Sequence, residues 1–208
     1  SVDLIIIQFA LDASTCARFA VRVIIAPVNE PYISVDVETA GPNPSQYSLL
    51  SIGACLVFDP TRAFYVELKP VNSNAIAEAM AIHRLSLDEL AARGVAPADA
   101  MAQFDAWLAA NVPSNQTPIF VAFNAPFDWM FVNDYFFRYL GRNPFGHAAL
   151  DIMAYVMGAR GIRWADARMR EMVKYYHVAM PPLTHNALND AQDQARLFRA
   201  ILEQSQKT

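Results

Sequence analysis

Four carboxylates and one histidine lie in three short segments of this sequence. Asp36 and Glu38 are two residues apart, Asp128 stands alone, and His185 precedes Asp190 by five residues. Hard divalent cations such as Mg²⁺ prefer carboxylate oxygens as ligands. We therefore expect the four acids to form a cluster that holds two Mg²⁺ or Mn²⁺ ions, with His185 beside them as a general base. That combination is suited to hydrolysing a phosphodiester.

Each of the three segments also has a plainer explanation when it is taken alone. An Asp-x-Glu pair is common on a solvated strand end. A carboxylate in the first turn of a helix, where Asp128 is expected, is stabilised by the helix dipole without any metal. A single histidine such as His185 is often structural. Only the three segments together favour catalysis.

Local geometry predicts how these side chains are presented. Successive side chains of a strand point to opposite faces, so Asp36 and Glu38 should share a face with Ser34. On a continuous helix five residues turn through about 140°. His185 and Asp190 would then not face the same way. We therefore expect His185 in a loop and Asp190 in the first turns of the following helix.

The elements that position these residues follow from periodicity and turn residues. Strands are predicted over residues 32–38, 49–58, 63–68 and 119–123, with a turn at 59–62. Helices are predicted over residues 75–82, 86–93, 98–110, 125–140, 152–157, 164–176 and 186–204, with Asn124 as a cap before Pro126. Strands first, then strands alternating with helices, indicate a mixed sheet flanked by helices.

Composition predicts a folded cytoplasmic protein. Of the 208 residues, 54% are hydrophobic and 17% are charged, which provides ample core and argues against disorder. The net charge of −4 argues against a protein that binds along a long stretch of nucleic-acid duplex. It does not exclude an enzyme that grips only a chain end, because bound cations supply positive charge there. Cys16 and Cys55 are predicted to be reduced thiols.

The first thirty residues form an arm whose role the sequence does not reveal. Residues 4–27 are largely apolar, but Asp12, Arg18 and Arg22 interrupt them, so a membrane span is not expected. Asp3 stands where a signal peptide would carry basic residues. We interpret residues 1–30 as an accessory strand or helix, or as sequence outside the domain, and residues 31–208 as one catalytic domain.

The three segments, in this order, resemble the three motifs of the DnaQ-like, or DEDDh, 3′→5′ exonucleases. The family pattern is Asp-x-Glu-Thr-(small)-Gly, then Asn-Ala-x-Phe-Asp, then His followed five residues later by Asp. Residues 36–41, 124–128 and 185–190 match it. Within the family, residues 36–41 and residues 140–145 followed by Asp151 look most like ribonuclease T. The family often has His where Phe123 stands, and usually Thr where Ile152 stands.

The resemblance implies a fold and a reaction. The fold would be α/β and ribonuclease-H-like, with a mixed five-stranded sheet flanked by helices. Asp36, Glu38, Asp128 and Asp190 would ligate two Mg²⁺ or Mn²⁺ ions, and His185 would take a proton from the attacking water. The reaction would release nucleoside 5′-monophosphates from the 3′ end of single-stranded DNA or RNA.

The resemblance also implies contacts with the terminal nucleotides. These are backbone groups of Val37, Glu38 and Thr39 at the sugar, Glu78 and Ile82 at the bases, and Phe127 and Phe145 as stacking aromatics. Ordinary core packing explains Ile82 and Phe145 equally well. His83, His147 and His177 have no motif context.

Two other functions stay open at this point. The same fold could serve as a non-catalytic or proofreading-type subunit that binds a polymerase or another partner. The acidic cluster could also serve a metal phosphodiesterase that acts on small molecules. The complete set of four acids and a histidine argues against an inactive site. Ribonuclease T-like relatives form dimers, so a homodimer is compatible with the resemblance, and no membrane partner is expected.

Overall fold

The chain divides into two units, Ser1–Glu30 and Pro31–Thr208. The computed structural model describes residues 6–8, 22–24, 30–181 and 184–205. In the first unit, strand β1 (Ile6–Gln8) pairs antiparallel with β2 (Arg22–Ile24), with Ile7 opposite Val23. Most of the apolar segment 4–27, including Cys16, lies outside the described residues.

The second unit is built on a mixed five-stranded sheet. Its strands are β3 (Tyr32–Thr39), β4 (Leu49–Leu56), β5 (Asp59–Glu67), β6 (Ile119–Ala122) and β7 (Ala149–Asp151). They lie in the order β5-β4-β3-β6-β7. β3, β4 and β5 form an antiparallel meander, whereas β6 and β7 run parallel to β3. This confirms the expected ribonuclease-H-like sheet.

Helices cover both faces of this sheet. They are α1 (Ala77–His83), α2 (Leu87–Arg93), α3 (Pro97–Asn111), α4 (Ala125–Leu140), α5 (Ile152–Arg160), α6 (Met169–Tyr175) and α7 (Ala187–Ser205), with a 3-10 turn at Trp164–Asp166. One apolar layer joins the sheet to α3 and α4, and a second joins it to α5, α6 and α7. Along β3, Ile33, Val35 and Val37 belong to the first layer.

Several predicted boundaries differ from the structure. The turn between β4 and β5 lies at residues 57–58, and residues 59–62 already belong to β5. The turn chemistry of Asp59 is nevertheless used, because its Oδ1 accepts the N–H of Thr61 at 3.3 Å. The helix predicted over residues 164–176 is divided into a 3-10 turn and α6. Strand β7 was not predicted because it has only three residues.

Residues at three helix ends show how local sequence sets α2 and α4. Ser86 caps α2, since its Oγ accepts the N–H of Glu89 at 3.4 Å. Asn124 precedes α4, but the prediction that its side chain caps the helix is wrong. Its backbone is left-handed, with φ of 67°, a conformation that asparagine tolerates better than most residues. Gly141, with φ of 69°, ends α4 as expected.

Candidate active site

The carboxyl end of β3 extends beyond its parallel neighbour β6. The two strands pair only as far as Ser34 and Val121, whereas β3 continues to Thr39. Asp128, in the first turn of α4, fills the place of the missing strand, because its Oδ1 accepts the N–H of Val37 at 3.1 Å. A buried N–H without a partner would be destabilising. The hydrogen bond therefore fixes α4 against the end of β3.

Three carboxylates converge at this end of the sheet. Asp36 and Glu38 come from β3 and Asp190 from α7, and each offers an oxygen that lies within 4.8 Å of the other two. Asp128 lies beside this group but is not part of it at that distance. Within the described ranges, no lysine or arginine forms an ion pair with any of the four acids. The donor set therefore fits hard divalent cations, which prefer oxygen ligands.

The electrostatics of the cluster also fit a cation site. Burial and the charges of Asp190 and Asp128 raise the pKa of Glu38 to about 8. Burial raises the pKa of Asp128 to about 7, although the Val37 hydrogen bond opposes the shift. Burial and the three neighbouring acids raise the pKa of Asp36 well above its ordinary value. Cations bound at this position would offset the free-energy cost of burying charged carboxylates and the repulsion between them.

Helix α7 brings Asp190 to the sheet through an unusually close contact. A Cβ on Gly53 of β4 would lie 2.1 Å from the carbonyl carbon of Ala187, so only glycine leaves room for the helix backbone. Ser34 binds the same helix, since its Oγ donates to the carbonyl oxygen of Ala191 at 2.7 Å. Asn186 caps the helix by accepting the N–H of Leu188 at 3.2 Å.

His185 lies in the loop directly before α7, as the sequence predicts. It is exposed, and its backbone is left-handed with φ of 52°. Burial raises the pKa of Asp190, and the nearby His185 opposes that shift. Thr184 lies on the same side, with its Oγ1 donating to Oδ1 of Asp190 at 3.4 Å. The structure thus brings the predicted base and the predicted metal ligand together.

The residues predicted at the terminal nucleotide have different environments. Glu78 and Ile82 are exposed on α1, four residues apart and therefore on one face of that helix. Phe127 is half-buried in α4. Phe145 is only 4% exposed and packs against Phe104 and other core rings. Its position fits the core-packing explanation and does not fit a stacking platform.

The backbone of the first motif is already engaged within the protein. The N–H of Val37 is bound by Asp128, as described above. The carbonyl oxygen of Thr39 lies 3.2 Å from Nε2 of His83. The other ring nitrogen, Nδ1, accepts the N–H of Leu85 at 3.1 Å, so Nε2 carries the proton and donates to Thr39. The Thr39 side chain is also buried and donates to the Gly41 carbonyl.

Sequence reasoning assigned no role at the site to three residues that support it. His83, to which it assigned no role, joins α1 to the end of β3. Asp151 accepts the N–H of Ala125 through Oδ2 at 2.7 Å and caps α5 through Oδ1. Gln194, one helical turn after Asp190, donates to Oδ1 of Asp36 at 2.6 Å. The buried face of α7 consists largely of small and apolar residues. A glutamine on that face was the signal that could have identified Gln194.

Comparison with known proteins identifies the family. The model of the 3′-5′ exoribonuclease Rv2179c-like domain matches residues 31–202. The chain belongs to this family. The 3′-5′ DNA exonuclease Cap18 of Escherichia coli is 47% identical to this Rv2179c-like chain over 181 residues, covering 86% of this chain and 95% of Cap18. The predicted membership of the DnaQ-like 3′→5′ exonucleases is thereby confirmed.

Solved structures support the fold of this Rv2179c-like domain. The nuclease domain of 3′hExo, a DEDDh family member bound to rAMP, has a TM-score of 0.70 at 11% identity, covering 86% of this chain and 95% of that one. E. coli exonuclease I with a dT13 oligonucleotide has a TM-score of 0.67 at 15% identity, and the match covers 86% of this chain and 42% of exonuclease I. The narrower likeness to ribonuclease T stays a prediction. In the described part of the chain, no helix has the length and apolar character to cross a membrane.

Proposed function

We propose that this protein is a metal-dependent 3′→5′ exonuclease that releases nucleoside 5′-monophosphates from single-stranded DNA. The observation that carries the proposal is the convergence of Asp36, Glu38 and Asp190 within 4.8 Å, with no lysine or arginine paired to them in the described ranges. The Val37-bound Asp128 would complete a set that holds two Mg²⁺ or Mn²⁺ ions. When bound, such ions lower the pKa of water and stabilise the attacking and leaving oxygens.

The protein's own residues divide the remaining work. Asp36, Glu38, Asp128 and Asp190 would hold the cations at the end of the sheet. His185, exposed on the loop beside Asp190, takes the proton from the attacking water. An exposed imidazole is suited to this role because it can release the proton to solvent after each turnover.

The terminal nucleotide would lie between α1 and the end of β3. Glu78 and Ile82 present one exposed face of α1, and Phe127 is partly accessible on α4. Apolar and aromatic side chains that contact bases are tolerant of base identity. This arrangement supports a nuclease that accepts a chain end without strong sequence preference.

DNA is the substrate that we propose, because Cap18, which is named a DNA exonuclease, is 47% identical to this chain over 181 residues. The family model, by contrast, carries the description of an exoribonuclease. A homodimer and a polymerase partner stay predictions. The complete acidic set argues against the non-catalytic alternative.

The test is digestion of 5′-labelled 12-mers of DNA and RNA with the same sequence, in Mn²⁺, Mg²⁺ or EDTA. We expect a ladder of shortened labelled DNA, no cleavage in EDTA, and slower digestion of RNA. A 3′-phosphorylated DNA should resist cleavage, and Asp36→Asn should be inactive. A labelled mononucleotide as the first product would show the opposite polarity and contradict the proposal. Faster digestion of RNA would refute the choice of DNA alone.

A further inference from the structure

Gln194 connects all three acidic segments of the site. It lies on α7 one helical turn after Asp190, and only 3% of it is exposed. Its Nε2 donates to Oδ1 of Asp36 on β3 at 2.6 Å. Its Oε1 accepts the N–H of Phe123 at 2.8 Å. Phe123 directly follows β6 and leads into the turn that starts α4, the helix of Asp128.

The direction of both hydrogen bonds is fixed by chemistry. A backbone N–H can only donate, so the oxygen of the Gln194 amide must face Phe123. The amide NH₂ group must then face the Asp36 carboxylate. The alternative orientation of the amide would place an NH₂ group against an N–H and an oxygen against a carboxylate. Asp36 therefore receives a hydrogen bond from a buried side chain that has no freedom to turn.

We propose that Gln194 is a positioning residue for the cation site, which holds the Asp36 carboxylate in the orientation that meets Glu38 and Asp190. The inference rests on the function proposed above, since it assigns the acidic cluster to cations. Carboxylate oxygens of Asp36, Glu38 and Asp190 lie within 4.8 Å of one another, so repulsion between them favours rotation of an unheld Asp36 side chain away from the cluster. The hydrogen bond from Gln194 opposes that rotation.

A neutral amide is better suited to this role than a charged donor. Lysine or arginine at position 194 would also bind Asp36, but its positive charge would compete with the cations for the same carboxylate. The amide orients Asp36 and leaves the negative charge of the cluster available. Mutation of a residue that hydrogen-bonds a metal ligand typically lowers metal affinity or activity by about 10–100-fold.

A purely structural role is the competing explanation, because Gln194 also satisfies the N–H of Phe123. The two roles make different predictions for the protein without substrate. Loss of a structural hydrogen bond lowers thermal stability and leaves the cation affinity of the folded protein unchanged. Loss of a positioning residue weakens cation binding in the folded protein itself.

The deciding experiment is calorimetric titration of Mn²⁺ into substrate-free wild type, Gln194→Met and Gln192→Met. Methionine has nearly the volume of glutamine but cannot make either hydrogen bond of Gln194. We expect the Kd for Mn²⁺ to rise about 10–100-fold in Gln194→Met. Turnover at limiting Mn²⁺ should fall, while the KM for DNA at saturating Mn²⁺ should stay unchanged. Gln192 is the matched control, because its amide donates to the Pro60 carbonyl at 2.9 Å from the same helix.

A second variant keeps the inference testable if Gln194→Met does not fold. Gln194→Glu keeps the side-chain shape and the acceptor for Phe123, but it turns an oxygen toward Asp36. We expect a folded protein with kcat at least about 10-fold lower at saturating Mn²⁺. Wild-type Mn²⁺ affinity in folded Gln194→Met, or wild-type kcat in Gln194→Glu, would overturn the inference. Failure of the proposed function is distinct, because wild type itself would then neither bind Mn²⁺ nor cut DNA.

Discussion

Asp128 and Val37 are 91 residues apart in sequence, yet Oδ1 of Asp128 accepts the N–H of Val37 at 3.1 Å. This hydrogen bond ties the second acidic segment to the first at the point where β3 loses its neighbour. Burial raises the pKa of the Asp128 carboxyl group to about 7, although this hydrogen bond opposes the shift. Near neutral pH, protons and cations therefore compete for the site.

The first prediction concerns the stability of the cation-free protein. The pKa of Glu38 rises from 4.5 to about 8, and that of Asp128 from 3.8 to about 7. At a pH between the unfolded and the native pKa of each group, the native state keeps a proton that the unfolded chain has released. The free energy of unfolding therefore falls as pH rises through this range. We expect the Tm in EDTA to be lower at pH 8 than at pH 6, and Mn²⁺ to restore it at pH 8.

The control for this prediction is Glu38→Gln. Burial lowers the pKa of His83, which acts in the opposite sense by making the native state less stable as pH falls. The difference between wild type and Glu38→Gln isolates the contribution of the acid. A Glu38→Gln protein with the same dependence of Tm on pH as wild type would contradict the prediction.

The second prediction compares two glycines. Gly53→Ala should destabilise the protein by about 1–3 kcal/mol or more, because the new methyl group meets the backbone of α7 at 2.1 Å. It should also weaken Mn²⁺ binding, since α7 carries Asp190. Gly158→Ala is the control, because a Cβ there meets nothing within 4 Å and alanine favours helix α5 by up to about 1 kcal/mol. Urea unfolding curves measure both, and equal stability of the two variants would refute the contact.

The third prediction separates the chemistry of His185 from its backbone conformation. His185→Ala should lower single-turnover rates by about 10²–10⁴-fold and leave Mn²⁺ affinity nearly intact. His185→Asn accepts the left-handed backbone at φ of 52° but provides no comparable base. We therefore expect both variants to be equally slow. Recovery of the wild-type rate in His185→Asn would show that only the loop conformation matters.

The fourth prediction concerns Ile82 and Phe145, for which the sequence left nucleotide contact and core packing equally open. Ile82 is 52% exposed on α1, so Ile82→Ala should leave stability unchanged and raise the KM for DNA by about 3–10-fold. Phe145 is a core residue, so Phe145→Ala should destabilise the protein by about 3–5 kcal/mol. At a temperature where it is folded, its KM should equal that of wild type. A raised KM in folded Phe145→Ala would restore the stacking role.

Sequence reasoning predicted the parts of the fold that depend on local pattern. The alternation along β3 placed Asp36 and Glu38 on one face, and the five-residue spacing placed His185 in a loop before α7. It failed where a short element or a distant partner decides the outcome. Strand β7 has three residues and exists because β6 provides a parallel neighbour. No local pattern predicts such a strand.

The supporting contacts of the site were beyond prediction for the same reason. Gln194 and Asp36 are 158 residues apart, and their hydrogen bond requires that α7 already lies across the sheet. Phe145 follows the helix-ending Gly141, and its position in sequence does not distinguish a core ring from an exposed one. The left-handed backbone of Asn124 likewise depends on the path of the chain from β6 into α4.

Helix α7 follows every other element of the sheet domain in the sequence, and it carries both Asp190 and Gln194. A ribosome therefore completes β3, with Asp36 and Glu38, more than a hundred residues before it makes α7. Until α7 emerges, Asp36 and Glu38 lack the neighbouring carboxylate of Asp190, and the space above Gly53 is not yet filled by the α7 backbone. A nascent chain that has not yet made α7 therefore lacks Asp190, one of the carboxylates of the proposed cation site, and this site is completed only when α7 packs on the sheet.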